Sequence, residues 1–266
     1  MPAGNTHFNN ALVDLLNGIN SRSVWLALGW NDVNNRYNRS KLGVFWASLS
    51  ILIFVGALGP IYASLMSVET RVYMIHLLLG FIVWNFVSNI ILECSKEFIG
   101  SAHYLTSFQL SYFTLLFRVV WRNTVVLCYQ MLVFVILALF FRQPVAVEWA
   151  VVPLALLMIM LNALWIGLIM SILAARYRDF SELFNNIFRL VFFVTPIIWM
   201  PNANEQLNQI AQLNPFFHLI ELFREPLLQG NISLVHWQIT AAMAVSGWIL
   251  AFALFARYRS RIAFWL

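Results

Sequence analysis

Chemistry in this chain has to come from few charged side chains, because only 10% of its 266 residues are Asp, Glu, Lys or Arg. Glu221 and Arg224 stand one helical turn apart in LNPFFHLIELFREPLLQG, where they can pair. Arg189 lies in the apolar run FNNIFRLVFFV, where a cation is costly and usually functional. It would attract a phosphate or an acidic sugar, or pair with Glu182 seven residues back. His76 falls near the end of an apolar run and reads as an interfacial residue rather than a ligand.

A catalytic set is missing. No pair of carboxylates falls inside an apolar run, and no His, Asp or Glu cluster has metal-ligand spacing. The phosphate-cradling pattern GxxxxGK(S/T) does not occur, so ATP hydrolysis by that route is excluded. Cys94 and Cys128 lack metal-ligand spacing and read as structural thiols. We therefore expect no catalytic residue, metal or cofactor on this chain. A membrane-embedded transferase would need acidic diphosphate-binding motifs. A proton- or sodium-coupled carrier would place more ionisable groups within its spans. What remains is a pathway driven by another protein.

The elements that must position these residues are membrane helices. The chain is 61% hydrophobic, whereas a soluble domain is about half apolar and a quarter charged. Six runs, Gly43–Met66, Val72–Leu92, Asn123–Phe141, Trp149–Ala174, Phe184–Met200 and Ile239–Ala256, are read as crossings of an apolar layer about 30 Å thick. The expected fold is an all-α integral membrane protein with six transmembrane helices. It is a single domain, 1–266, with 1–42 as a cytoplasmic N-terminus and 43–266 as the six-span unit. With both termini cytoplasmic, only Arg71, Arg142 and Arg224 of the 16 Lys and Arg residues fall outside, as the positive-inside rule asks. The net charge of +5 is then a topology signal, and nucleic acid is not an expected partner. No basic stretch followed by a short apolar core begins the chain, so no cleaved signal peptide is expected.

Three segments lie outside the spans. Leu26, Trp30, Val33 and Tyr37 share one helical face, with Arg36, Arg39 and Lys41 nearby. This suits a helix lying in the headgroup plane, or one packed on the protein's own surface. Phe98, Ala102, Leu105 and Phe108 form a stripe flanked by Lys96, Glu97 and His103, which fits lipid or the groove of a soluble partner. Thr195–Gly230 is too charged and too broken by Pro196, Pro201, Pro215 and Pro226 to span. Two short helices that enter the membrane and return would satisfy it, as a gate over a pathway or as a compact cap. Aromatic residues make up 16%. Trp46, Trp121, Tyr177, Trp149, Trp199 and Trp237 suit an interfacial belt. Trp84, Trp165, Phe192 and Phe193 lie deeper and could line a pathway, stacking on sugar C–H faces.

Three stretches carry a family resemblance: RYNRSKLGVFWASLS (Arg36–Ser50), ARYRDF (Ala175–Phe180), and TPIIWMP followed by LNPFFHLIELFREPLLQG. In this order and spacing the chain resembles the ABC-2 permease subunits that export O-antigen, capsule and teichoic acid. The resemblance implies a permease homodimer in the bacterial inner membrane, joined to two ATP-binding cassette subunits that carry ATP and Mg. It also implies a lipid-linked polysaccharide as substrate, O-antigen foremost, with membrane lipid around it. The alternatives are an exporter of a small lipid or drug, and then a membrane-embedded transferase. The helix bearing Trp30, Arg36, Tyr37 and Arg39 would lie at the inner interface. About Ser95–Phe108, with Lys96, Glu97, Phe98, Ala102 and Leu105, would couple to the ATPase, beside Arg176, Arg178 and Asp179. Pro196, Pro201, Asn214, Pro215, Glu221 and Arg224 would belong to a periplasmic gate of re-entrant helices. Spans one and five would line the channel, with Trp46, Arg189, Phe192, Phe193 and Trp199 as candidates.

Overall fold

The computed structural model describes residues 3–37, 41–142, 151–201 and 205–266. Arg39 and Trp149 therefore lie outside the described residues. The described residues form eleven helices and no strand: α1 Ala3–Asn20, α2 Arg22–Tyr37, α3 Phe45–Leu65, α4 Thr70–Gly100, α5 Ala102–Thr106, α6 Tyr112–Phe140, α7 Val151–Arg176, α8 Phe180–Val194, α9 Glu205–Leu213, α10 Pro215–Leu228 and α11 Leu234–Trp265. Five of them, α3, α4, α6, α7 and α11, are long and apolar enough to cross a membrane.

α4 is the central helix, packed against α3, α6, α7, α8 and α10. Its sequence Leu77–Leu92 has apolar residues on every face, as a helix enclosed by neighbours must. Small residues let those neighbours approach. Gly167 of α7 faces the Cys94 side chain, and Ser171 Oγ donates to the Cys94 carbonyl at 2.7 Å. α11 closes on α7 where Gly247 lies under the Trp165 ring, and Trp248 Nε1 donates to the Leu161 carbonyl at 3.1 Å.

The helices depart from the sequence expectation at their ends. α6 begins at Tyr112 rather than near Asn123. Arg118 and Arg122 do not end it, because carboxylates from other helices neutralise them. α11 runs past Ala256 to Trp265. α8 stops at Val194; its 15 residues rise about 22 Å at ~1.5 Å each, short of a full crossing. Thr195 turns extended, and Pro196 keeps the helix from resuming.

α1, for which the sequence assigns no role, carries an exposed apolar stripe of Phe8, Leu12, Val13, Leu16 and Ile19. Its other face is tied down by the buried Asp14, which accepts from Ser111 Oγ at 2.9 Å and Arg259 Nη2 at 3.0 Å. α2 packs on α6 through Val33 and through Gly29, whose place a Cβ would bring within 2.8 Å of Trp121 Cδ1. Trp30 points away from that contact and stays half exposed.

The tight α7–α11 contact makes a stability prediction. A Cβ at Gly247 would sit 2.2 Å from the Trp165 ring, whereas nothing lies within 4 Å of one at Gly56. Gly247→Leu should destabilise the detergent-solubilised protein by about 1–3 kcal/mol, read as a lower melting temperature. Gly56→Ala should leave it unchanged or raise it. Equal melting of Gly247→Leu and wild type would contradict this packing.

Candidate functional site

α4 is not covered on all sides. Between α3 and α8 it carries a ridge made of Phe81, Trp84, Asn85, Ser88, Asn89 and Leu92, of which Asn89 is exposed, Asn85 and Leu92 are half-buried and the other three are buried. On the α8 side, Trp84, Ser88, Asn185, Phe188, Arg189, Phe192 and Phe193 line a cleft of ≈ 420 Å³. Its walls are an aromatic cluster: Trp84 lies 5.7 Å from Phe192, 6.0 Å from Phe188 and 5.6 Å from Phe216 of α10. On the α3 side, Ser50, Phe54, Asn85, Asn89, Asn123 and Gln130 line a second cleft of ≈ 340 Å³. Phe81 joins the two, 4.6 Å from Phe54 and 5.3 Å from Phe192. The surface offers aromatic faces and amides, with Arg189 as a cation on the α8 side and Arg36, paired with Glu93, on the α3 side.

Of the channel candidates, Arg189, Phe192 and Phe193 come together here, and Trp84 joins them. Trp46 is half exposed on the first turn of α3 and lines neither cleft. Trp199 packs on the end of α8, its Nε1 donating to the Phe193 carbonyl at 3.1 Å. Arg189 does not pair with Glu182, which is held by Lys96 of α4 at 3.3 Å.

Thr195–Pro201, α9 and α10 form a roof over one end of the bundle. α10 starts at Pro215, whose fixed φ suits a first turn. Asn214 caps it by accepting from Phe216 N, while its Nδ2 donates to Thr195 Oγ1 at 2.9 Å. Arg224 pairs with Glu221, but both are buried. The guanidinium also lies 2.8 Å from His76 Nε2 of α4 and donates to the Pro196 carbonyl at 3.2 Å. Gly80 leaves room for it, since a Cβ there would come within 3.3 Å of Arg224 Nη1. Among the gate candidates, Pro196, Asn214, Glu221 and Arg224 are thus buried anchors, Pro201 is half-buried and Pro215 exposed. The outward side of the roof is α9, with Ile210 and Leu213 exposed. Beneath it, His218 Nε2 donates to the Gln212 carbonyl, which leaves its Nδ1 to accept from His236 Nδ1 at 2.7 Å. Burial holds the His218 imidazole below its usual value, and His236 acts in the same direction. His236 Nε2 faces Glu225 at 3.5 Å.

The opposite end is closed by a charge cluster. Arg118 of α6 donates to both oxygens of Asp32 of α2 at 2.6 Å. Arg122 reaches Asp32 and Glu93, each at 2.8 Å, and Arg36 reaches Glu93 at 2.9 Å. Burial pushes the Asp32 carboxyl up, but the two arginines overcome it and hold it below the usual range. The cluster fixes α2, with Arg36 and the half-buried Tyr37, to α4 and α6.

The residues of the expected coupling stripe divide between buried and exposed positions. Ser95–Gly100 continues α4, and α5 has five residues. Phe98 is fully buried against Tyr112 at 5.2 Å, Leu105 is buried, and Glu97 accepts from Ser101 Oγ at 2.9 Å. The stripe faces the chain's own core because α6 and α11 cover it. A charge at Phe98 would therefore break that core. Ala102 is half-buried. Lys96, His103, Phe108, Arg176, Arg178 and Asp179 are exposed.

Residues 23–228 match the model of a family described as ABC-2 type transporter. The chain is similar to two O-antigen export system permease proteins, RfbA, of Klebsiella pneumoniae. One is 22% identical over 236 residues, which cover 87% of this chain and 90% of the relative. The other is 23% identical over 239 residues with the same shares.

The Arg224 anchor sets a second prediction. Arg224→Leu strands Glu221 in the core and should cost about 3–5 kcal/mol in unfolding experiments. Removing both charges, as Arg224→Leu with Glu221→Leu, should restore part of it. Wild-type stability in the single variant would contradict a buried anchor.

Proposed function

The chain belongs to the ABC-2 type transporter family, and we propose that it is the permease subunit of an ATP-driven exporter of lipid-linked surface polysaccharide, O-antigen foremost. It is a multi-pass membrane protein, and in this family the ATPase is a separate subunit. The observation that carries the proposal is the ridge of α4. A polymer that must slide needs contacts along its length and no tight pocket. Aromatic faces and the amides of Asn85, Asn89, Asn123 and Gln130 offer such contacts to sugar C–H faces and hydroxyls. Relatives named for O-antigen export point the same way.

In this reading two copies face each other across the ridge. The apolar outer faces of α3 (Phe45, Ile53, Phe54) and α8 (Leu183, Ile187, Leu190, Phe193) flank the shared channel. α8 and the turn after it complete a sixth crossing, which leaves both termini in the cytoplasm of a bacterial inner membrane. Residues 1–42 form the cytoplasmic N-terminus of one domain. α2 sits at the inner headgroups through Trp30. Two partner ATPases carry ATP and Mg and press on Arg176, Arg178, Asp179, Lys96 and the exposed His103 and Phe108. α9 swings over the outer mouth while the Arg224 anchor holds α10 still.

Cells lacking this chain should keep lipid-linked polysaccharide inside, with surface polymer lost and polymer synthesis intact. Arg189→Leu should reduce export several-fold at unchanged abundance of the permease, since the cation faces the pathway. Normal surface polymer in the deletion would contradict the export role. Normal export in Arg189→Leu would reduce Arg189 to a residue that reaches out to the headgroups.

A further inference from the structure

A groove of ≈ 630 Å³ between α1 and α11 carries chemistry that an export pathway does not use. His7, Phe8, Ala253, Arg257, Ser260 and Arg261 line it. The outward stripe of α11 explains its character. Val245, Ile249 and Ala253 follow at four-residue steps and are exposed and apolar; the next two steps are Arg257 and Arg261. The change from apolar to cationic falls within one step of about 6 Å. The α1 wall is held in place rather than loosely apposed. Phe8 meets Phe252 edge-to-face at 5.2 Å, and Arg259 reaches across to Asp14.

The two arginines differ from those at the inner charge cluster. Arg36, Arg118 and Arg122 each have a carboxylate within 3 Å. Among the described residues, neither Arg257 nor Arg261 has an ion-pair partner, and no acid lines the groove. The nearby Asp14 is already taken by Arg259 and Ser111. Two guanidiniums one turn apart without a carboxylate, Arg257 resting 5.9 Å from the Tyr258 ring, stand at the end of an apolar stripe beside an exposed Phe and fit an anion that carries an apolar tail.

We propose that this groove is a binding site for an anionic phospholipid of the bilayer. The phosphate sits on Arg257 and Arg261, with Ser260 and His7 beside it, and the acyl chains lie along Ala253, Ile249 and Phe8. A lipid held there would brace α1 on the membrane through its stripe of Leu12 and Leu16. The proposal is independent of which polymer is exported.

The test uses the purified full-length protein in detergent with phosphatidylglycerol and phosphatidylcholine added in equal amounts, and retained lipid read by native mass spectrometry. Wild type should retain phosphatidylglycerol preferentially. Arg257→Gln with Arg261→Gln should lower that retention by roughly fivefold per arginine. Arg22→Gln, which removes an exposed charge away from the groove, should change nothing. Ala253→Trp keeps both charges but fills the apolar part, and it should also lower retention; it decides alone if the double variant fails to fold. Equal retention of the two lipids by wild type, or wild-type preference in the folded double variant or in Ala253→Trp, would overturn the proposal. So would displacement of the lipid by inorganic phosphate at millimolar concentration, which would mark a site for a free anion.

Discussion

Everything in this bundle depends on one helix with no charge in its middle and charges at its ends. Between Leu77 and Leu92, α4 offers its neighbours only apolar and uncharged polar side chains. Its backbone groups are satisfied within the helix, so other helices can cover it without stranding polar atoms. Just outside that stretch the character changes. His76 at one end meets Arg224, and Glu93 and Glu97 at the other face Arg122 and Arg118. The apolar middle holds the bundle together, and the polar ends determine which loop attaches where.

The two ends are built to different purposes. At the roof, a buried arginine binds α10 to α4 and to the Pro196 carbonyl, while α9 carries the exposed Ile210 and Leu213. At the opposite end, three arginines and three carboxylates lock α2 to α4 and α6. α2 is therefore joined to α4 through short ion pairs rather than through a flexible loop. Between the two clamps, the ridge of α4 is flanked by α3 and α8, with Phe81 between Phe54 and Phe192 and Asn89 exposed. A pathway on this ridge meets Arg189 on the α8 side and Arg36, paired with Glu93, on the α3 side, among aromatic rings and amides.

Much of this was legible in the sequence where a signal is local. Charge-free runs located the long helices, the prolines and Asn214 located the broken roof, and three-residue spacing gave the Glu221–Arg224 pair. What escaped were matters of cover. The stripe of Phe98 and Leu105 looks like a docking face because periodicity reveals a face but not what lies on it. Arg118 and Arg122 look like the end of a span because their partners, Asp32, Glu93 and Glu97, come from other helices. The burial of Arg224 depends on His76, 148 residues away. The untidy end of α8 at Thr195 was foreshadowed only by Pro196.

The claim that the pathway follows the α4 ridge is open to a direct measurement. Single cysteines are placed at Asn85 and Asn89 on the ridge, and at Val83 and Val87 on the buried face, with the exposed Cys128 changed to Ser. Each is treated from outside with a membrane-impermeant thiol reagent while export is running. The account predicts that Asn85→Cys and Asn89→Cys react and that export stops, while Val83→Cys and Val87→Cys do not react. Ridge cysteines that stay unreactive during export, or that react fully while export continues, would contradict it.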